Sequence, residues 1–197
     1  MILRWFVILI NNNGFKSETD ELLRMLKFDP TTYSHSLNVA QYSKKFVKLL
    51  DMDIDADVMY YSGLFHDIGK IEINPNILNK KSKLQINEYN SMKQHSQFGY
   101  SLLKKVFMPQ EMIIAAYCHH ERWDGNGYPI GLKGDIIPKV ARVISVCDVF
   151  DALTSDRPYR KAYSLCEALN IMENSEGQFD QELLKVFTDS LDSIIGN

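Results

Sequence analysis

A histidine and an aspartate stand side by side at positions 66 and 67, directly after an apolar run that ends at Leu64 and Phe65. Burying both groups near a helix end costs free energy unless their polar atoms find partners. Coordination of a metal ion is one way to satisfy both side chains together. The His66-Asp67 pair alone is also compatible with a hydrogen-bonded core pair. The interpretation therefore depends on whether further ligands occur elsewhere in the chain.

The other histidines supply such candidates. The chain contains five histidines, and each falls near a predicted helix end or on a helix face that the apolar pattern directs at the core. Asp148 shares the core-facing stripe of a predicted helix that begins at Pro138. Nitrogen and oxygen donors without sulfur suit two six-coordinate ions with open positions. The seven candidate ligands are His35, His66, Asp67, His95, His119, His120 and Asp148.

The elements that must position these ligands are predicted to be helices. Apolar residues recur at spacings of three and four, and no segment shows convincing strand alternation. Asp55 and Asp180 are predicted N-caps, Ser164 and Glu167 a capping box, and Gly69 the end of the third helix. The predicted fold class is all-α, a single-domain bundle of about seven to eight helices. The predicted helices are 17–27, 31–50, 56–68, 86–105, 109–119, 138–154, 164–174 and one after residue 180.

Several residues are assigned to the core. On the helix 31–50, His35 lies one turn before Val39 on the apolar stripe. The three cysteines are widely spaced and form no CxxC pair, a pattern typical of a protein of the reducing cytosol. Other predicted core positions are Leu49, Leu50, Cys118, Cys147 and Cys166.

The composition excludes several classes of protein. A length of 197 residues with 45% hydrophobic and 24% charged residues is typical of one globular domain. The net charge of −3 argues against a protein that coats long nucleic acid, although a small anionic substrate is compatible with it. The apolar start at 1–10 is too short to span a bilayer, which needs about twenty residues. We expect a cytoplasmic protein; peripheral membrane association through residues 1–10 stays open.

Longer motifs surround the candidate ligands. They are HS at 35–36, HDIGK at 66–70, KxHxxxG at 93–99, HHERWDGNGYP at 119–129, IP at 137–138, AR at 141–142, DVFDALT at 148–154 and RPYR at 157–160. In this order the motifs resemble the HD-GYP family, a branch of the HD phosphohydrolase superfamily that hydrolyses cyclic dinucleotides, chiefly cyclic di-GMP. The resemblance covers about residues 29–190. It implies an HD-domain fold extended by the HD-GYP C-terminal helices, with an apolar segment and lead helix at 1–28 and the HD-GYP domain at 29–197.

The resemblance implies two divalent metal ions bridged by Asp67, with iron or manganese favoured. A hydroxide held between the ions would attack phosphorus, and Lys70 would bind the scissile phosphate or assist the leaving oxygen. Thr31 occupies the position where some family members place a Glu that holds a third metal, so a two-metal centre is favoured. One ion would be held by His35, His66 and Asp148, and the other by His95, His119 and His120.

Three further residues are implied to meet the substrate. Arg157 and Arg160 would supply forked donors to phosphate or to a guanine edge, and Asp151 lies beside the centre in the family. The Gly127-Tyr128-Pro129 loop would shape one wall of the pocket, or contact a diguanylate cyclase-type protein partner.

The loop before this motif is assigned structural roles. We interpret Glu121 and Asp124 as acceptors that fix the loop by binding backbone donors, and Arg122 and Trp123 as packing residues.

Several alternatives stay open. A catalytically weak member would act as a cyclic-dinucleotide receptor, although its intact ligand set argues against this. Other HD enzyme classes are disfavoured by the GYP loop and the segment 157–160. The sequence leaves open cyclic di-GMP or cyclic GMP-AMP as substrate, the linear dinucleotide or GMP as final product, and a homodimer as the assembly.

Overall fold

The computed structural model describes residues 13–157 and 160–196, and its regular structure there is helical. The predicted all-α class is confirmed for these residues, whereas the apolar start at 1–10 lies outside them. None of the described helices has the length and apolar character that crossing a bilayer requires. The α-helices are α1 Asn13–Leu26, α2 Pro30–Val47, α3 Ala56–Phe65, α4 Pro75–Leu78, α5 Ile86–Lys93, α6 His95–Lys105, α7 Gln110–Cys118, α8 Lys139–Thr154, α9 Leu165–Glu173, α10 Gln181–Asp189 and α11 Leu191–Ile195; short 3₁₀ helices span Ile68–Glu72 and Gly134–Ile136.

The predicted N-terminal helix caps are confirmed. Asp55 accepts hydrogen bonds from the first-turn backbone of α3, and Asp180 does the same for α10. Ser164 and Glu167 form the reciprocal capping box before α9. These bonds satisfy N–H groups that have no partner within their own helix. The first helix differs from the prediction, because α1 begins at Asn13 rather than at residue 17.

Two large apolar clusters form most of the core of the described residues, and a small third one contains Cys118. In the first, the rings of Phe46, Phe150 and Phe187 from α2, α8 and α10 lie 5.1 to 5.2 Å apart. In the second, Leu22 and Leu26 of α1 pack with α3, α6 and α7, and both are 1% exposed. The lead helix is therefore built into the same core as the helices that follow it. The domain boundary at residue 28 stays a prediction.

Two residues assigned to the core lie at the surface. Leu49 is 44% exposed because α2 ends at Val47, so the helical spacing no longer applies to it. Cys166 is exposed because α9 buries the opposite face, with Ala168 and Met172 inside. The other assigned core positions, Leu50, Cys118 and Cys147, are buried or partly buried as predicted.

Two of the predicted helices are interrupted at the candidate ligands. α3 ends at Phe65, so the His66-Asp67 pair follows the helix instead of forming its last turn. The predicted helix 86–105 is divided at Gln94, so His95 is the first residue of α6. These breaks produce more and shorter helices than the seven to eight predicted, and they turn the ligand side chains inward.

Gly69 has a role other than the predicted one. It lies inside the 3₁₀ helix Ile68–Glu72, and a Cβ at this position would stand 2.0 Å from the His95 carbonyl oxygen and 2.4 Å from the Gly99 nitrogen. Only glycine permits this close backbone approach. Gly69 therefore brings the segment after α3 against α6, and with it Asp67 close to His95.

Candidate metal centre

Asp67 lies between two sets of candidate ligands, with one carboxylate oxygen facing each set. Its Oδ2 is 3.8 Å from Nε2 of His35 and 3.4 Å from Nε2 of His66. Its Oδ1 is 3.4 Å from Nε2 of His95 and 3.8 Å from Nε2 of His119. The carboxylate is 2% exposed. One buried side chain is thus placed to serve both sets.

The structure brings all seven candidate ligands together in two compact groups. We name His35, His66 and Asp148 the first group, and His95, His119 and His120 the second group. Within the first group, and within the second group together with Asp67, the ligand atoms lie within 4.8 Å of one another. Ligand atoms that share one ion at a distance of about 2.1 Å are separated by about 3 to 4 Å. Both groups are therefore compact enough to close around an ion.

Four of the five histidines use their second ring nitrogen as a hydrogen-bond donor. A backbone carbonyl three or four residues earlier accepts from Nδ1 of His66 at 2.6 Å, of His95 at 2.7 Å and of His119 at 3.0 Å. The Asp151 carboxylate accepts from Nδ1 of His35 at 2.6 Å. A proton on Nδ1 leaves the lone pair on Nε2, the atom that faces Asp67. Such second contacts are typical of metal-binding histidines.

His120 is positioned by ring contacts. Its ring centroid lies 4.0 Å from that of His119, 4.7 Å from that of Tyr128 and 5.0 Å from that of His95. Tyr128 belongs to the Gly127-Tyr128-Pro129 loop, so this loop covers one side of the second group. The loop thus contacts a candidate ligand directly.

Two carboxylates of α8 face His35 from opposite sides. Asp148 Oδ1 is 2.9 Å from its Nε2, and Asp151 Oδ2 is 2.6 Å from its Nδ1. Asp151 is 1% exposed, and its Oδ1 also accepts from Asn38 Nδ2 at 2.8 Å and Ser155 Oγ at 3.0 Å. Both its oxygens are thus used within the protein. This geometry suits the orientation of His35 and disfavours the predicted substrate contact of Asp151.

The two groups differ in charge. Burial opposes protonation of His35, but hydrogen bonds to Asp148 and Asp151 raise its pKa to about 9. In the second group, burial lowers the pKa of His120 to about 3 and holds the pKa of His119 well below its usual range. Burial also lowers the pKa of His95. The imidazoles of the second group are therefore neutral at pH 7, the form that binds a metal.

Buried atoms without partners provide a test of metal binding. Among the described residues, five buried side-chain atoms have no hydrogen-bond partner: three are hydroxyls, and the other two are His66 Nε2 and Asp67 Oδ1. A buried polar atom without a partner destabilises the fold, so such atoms in a native protein call for an explanation. The His66 and Asp67 atoms belong to candidate ligands, and coordination of an ion satisfies these two. The imidazole and carboxylate donors suit first-row divalent metals. The residues present therefore fit metal ions.

Lys70 lies at the shared carboxylate. Its Nζ is 2.5 Å from Asp67 Oδ2, and its side chain is 22% exposed. Burial alone would raise the pKa of Asp67, but the charge of Lys70 and the interactions with His66 hold it well below its usual range. The Lys70 ammonium thus contacts the shared carboxylate while its side chain stays partly exposed to solvent.

The two arginines predicted to bind substrate have different surroundings. Arg157 Nη2 is 3.2 Å from His35 Nδ1 and 3.9 Å from Asp151 Oδ2, so it lies at the first group. Arg160 donates to two carbonyls at the C-terminal end of α8, at 2.6 and 3.2 Å, and its guanidinium lies over the ring of Tyr163. The donors of Arg160 are used to stabilise the end of α8. This arrangement supports a substrate contact for Arg157 and disfavours one for Arg160.

Glu121 and Gly127 fix the loop beside the second group. Glu121 is 3% exposed and accepts hydrogen bonds from the backbone of residues 130–132 at 2.8 to 3.0 Å, which confirms its predicted structural role. A Cβ on Gly127 would stand 2.4 Å from the Arg122 nitrogen and 2.6 Å from the His120 carbonyl oxygen. Glycine is required there because the loop touches the backbone that carries His120.

Arg122 does more than the predicted packing. It pairs with Asp124 at 2.9 Å and donates to the Glu176 carbonyl at 2.9 Å. Asp124 accepts from the Asn126 backbone at 2.9 Å, as predicted. Arg122 therefore ties the loop to the segment before α10.

Two residues that support the site were missed in the sequence. Asn38 lies three residues after His35, and Ser155 lies four residues after Asp151. Both side chains donate to Asp151 Oδ1. Ser155 reaches it from one turn further along the chain, and Asn38 reaches it because it lies on the same face of α2 as His35. A polar residue three or four positions after a candidate site residue was the available signal.

The model of the HD domain family matches residues 18–183, a range that includes all seven candidate ligands. This chain belongs to the HD domain family. The HD-GYP resemblance is confirmed by relatives named as cyclic-dinucleotide phosphodiesterases.

Two curated proteins are similar to this HD domain over most of its length. It is 40% identical over 158 residues to the 3'3'-cGAMP-specific phosphodiesterase 1 of Vibrio cholerae, covering 79% of this chain and 37% of that protein. It is 37% identical over 168 residues to a cyclic di-GMP phosphodiesterase of Pseudomonas aeruginosa, covering 84% of this chain and 41% of that protein. The chain spans less than half the length of these two curated relatives.

A solved structure shows the same fold. The HD domain of the phosphodiesterase PgpH of L. monocytogenes superposes with a TM-score of 0.64 at 20% identity, covering 86% of this chain and 94% of that chain. The predicted HD-domain fold is therefore confirmed.

Proposed function

We propose that this HD domain hydrolyses a phosphodiester bond of a cyclic dinucleotide, with cyclic di-GMP as the first substrate to test. The observation that carries the proposal is the position of Asp67, whose two oxygens face two groups of nitrogen and oxygen ligands. The names of the two relatives support the substrate class. The product is the linear dinucleotide and, after a second cleavage, GMP.

The proposed centre holds two divalent ions, one in each group, with Asp67 as a ligand of both. Iron and manganese are preferred, because imidazole and carboxylate donors suit both metals and because the HD-GYP resemblance favours iron. When bound, two such ions lower the pKa of a water molecule and stabilise charge on the phosphoryl oxygens.

Side chains of this chain then bind and orient the substrate. Lys70 presents an ammonium beside Asp67, where it binds a phosphoryl oxygen or stabilises the leaving oxygen. Arg157 offers forked donors to phosphate at the first group. Asp151 keeps a proton on Nδ1 of His35, so that Nε2 remains a ligand.

Two finer points follow from the surroundings of the site. Tyr128 packs on His120, which supports the loop as a pocket wall more than as a contact for a diguanylate cyclase-type partner. The three cysteines are free thiols, which supports a reducing compartment such as the cytoplasm.

Cyclic GMP-AMP is the second substrate to test, because a relative is named for it. The assay uses anaerobically purified protein, metal analysis, and chromatography of the products from both cyclic dinucleotides. We expect about two ions per chain and cleavage of at least one of the two substrates.

Asp67→Ala tests the centre, and Asp57→Ala is the matched control. Asp57 is an exposed carboxylate paired with Lys44, away from the ligands. We expect Asp67→Ala to lose metal and turnover, and Asp57→Ala to keep both. If the protein binds cyclic dinucleotide tightly but cleaves none with any metal tested, the proposed hydrolytic activity is wrong and the protein is a cyclic-dinucleotide receptor.

A further inference from the structure

Three side chains run from the second group to the surface. The ring of Tyr128 lies 4.7 Å from that of His120, and Lys93 Nζ lies 5.8 Å from the centroid of Tyr128. The same Nζ lies 5.2 Å from the ring of Tyr89, which is 50% exposed. We name Tyr89, Lys93 and Tyr128 the Tyr89 strip. The strip extends from the candidate ligand His120 to the solvent-exposed surface, and its aromatic and cationic side chains alternate.

The local helix geometry explains this arrangement. Tyr89 and Lys93 are four residues apart on α5, so their side chains meet on one face. α5 ends at Lys93, and His95 begins α6 two residues later. The strip is therefore held at a fixed distance from a candidate ligand by the chain itself.

The Tyr89 strip is not explained by core packing. α5 has no buried residue, and its apolar Ile86 is 80% exposed. The helix is instead fixed by polar contacts, since Glu88 accepts from Lys80 Nζ at 2.6 Å and from the Gln85 nitrogen at 2.7 Å. A helix held in this way leaves the face of Tyr89 available to a ligand.

The chemistry of the strip fits half of a cyclic dinucleotide. An aromatic face stacks on a purine base, and an ammonium beside it binds phosphate. We propose that the Tyr89 strip receives one purine base of the substrate and its adjoining phosphate, on the side of the second group. This inference rests on the proposed function.

Stacking also determines what the strip contributes. Every base has a π-face, so an aromatic platform strengthens binding without reading base identity. The strip therefore raises affinity equally for cyclic di-GMP and cyclic GMP-AMP. Discrimination between cyclic di-GMP and cyclic GMP-AMP must therefore come from contacts outside the Tyr89 strip.

The chain offers a matched control pair. Tyr100 and Lys104 of α6 have the same residue types, the same spacing of four, and a distance of 5.4 Å from Nζ to the ring centroid. Tyr100 packs on Tyr117 beside the second core cluster. Lys104→Met removes the same kind of cation–ring contact without touching the strip.

The experiment compares Tyr89→Ala, Tyr89→Phe, Lys93→Met and Lys104→Met in steady-state turnover of both substrates. In Tyr89→Ala we expect the loss of stacking on one base to raise KM about ten-fold and to leave kcat within about two-fold of the wild-type value. Tyr89→Phe keeps the ring and stays near wild type, and Lys93→Met raises KM about three-fold or more. Lys104→Met stays unchanged, and all four variants keep the metal content and melting temperature of the parent.

A binding assay separates this inference from the proposed function. Calorimetry with a phosphorothioate analogue of cyclic di-GMP that resists hydrolysis gives Kd for each variant, whether or not the protein is active. We expect Tyr89→Ala to weaken Kd about ten-fold, with Lys104→Met at the parent value. If the wild type cleaves or binds the dinucleotide and Tyr89→Ala has the same KM and Kd as Lys104→Met, the proposed role of the Tyr89 strip is wrong and the proposed function stands. A wild-type protein that neither cleaves nor binds the dinucleotide would overturn both.

Discussion

The two ligand groups share Asp67 and differ in how their histidines are supported. In the first group, carboxylates of α8 contact both ring nitrogens of His35. In the second group, His119 donates to backbone carbonyls and His120 is held by ring contacts. The first group sets His35 between two carboxylates, and the second is made of neutral imidazoles around one shared carboxylate.

This difference indicates an unequal pair of sites. Carboxylate oxygen suits hard cations such as manganese, whereas imidazole binds a wider range of first-row metals. Asp148 and Asp67 together balance the charge of an ion in the first group. We therefore expect the first group to hold manganese more firmly, and the second group to lose it first to a chelator.

The largest expected effect comes from comparing the shared ligand with unshared ones. Asp67→Ala removes a ligand from both groups, so we expect both ions to be lost and turnover to fall roughly a thousand-fold or more. His35→Ala and His119→Ala each remove a ligand from one group and should each cost one ion. Metal analysis after gel filtration, with melting curves to verify folding, gives the answer. If His119→Ala empties both groups, the two groups are one cooperative site.

A smaller effect tests the carboxylate support of the first group. Asp151→Asn keeps the shape but removes the charge that faces His35, so metal affinity in the first group should fall about 10- to 100-fold. The second group should keep its affinity. Asp156→Asn is the matched control, because Asp156 is an exposed carboxylate just beyond α8 that pairs with Lys161. Competition with a colorimetric chelator measures both affinities, and an equal fall in the two groups would contradict the comparison.

The ligands themselves were predictable because their chemistry is carried by residue type and order. His66 and Asp67 are adjacent, and helical spacing alone directs His35 and Asp148 toward the core. The contacts of Asp151 and Arg160 were not predictable in this way. Both were assigned to the substrate through the resemblance, yet their partners lie within the protein. Whether a charge meets a ligand or its own fold depends on tertiary geometry.

The breaks at the site show a second limit. The apolar pattern continues through Gln94 and past Phe65, so periodicity predicts unbroken helices at both places. The close approach of Gly69 to His95 is a contact between distant segments, and it overrides local preference. A glycine that looks like a helix end can instead mark such an approach.

The smallest expected effect tests the ring support of the second group. Tyr128→Leu removes the aromatic contact with His120 but no hydrogen bond to a ligand, so the affinity of the second group should fall only about two- to ten-fold. Tyr128→Phe keeps the ring and should stay near the parent value. The measurement is chelator competition without substrate, which separates this effect from any role of Tyr128 in the Tyr89 strip. A fall as large as that of Asp151→Asn in the first group would mean that ring contacts position a ligand as firmly as carboxylates do.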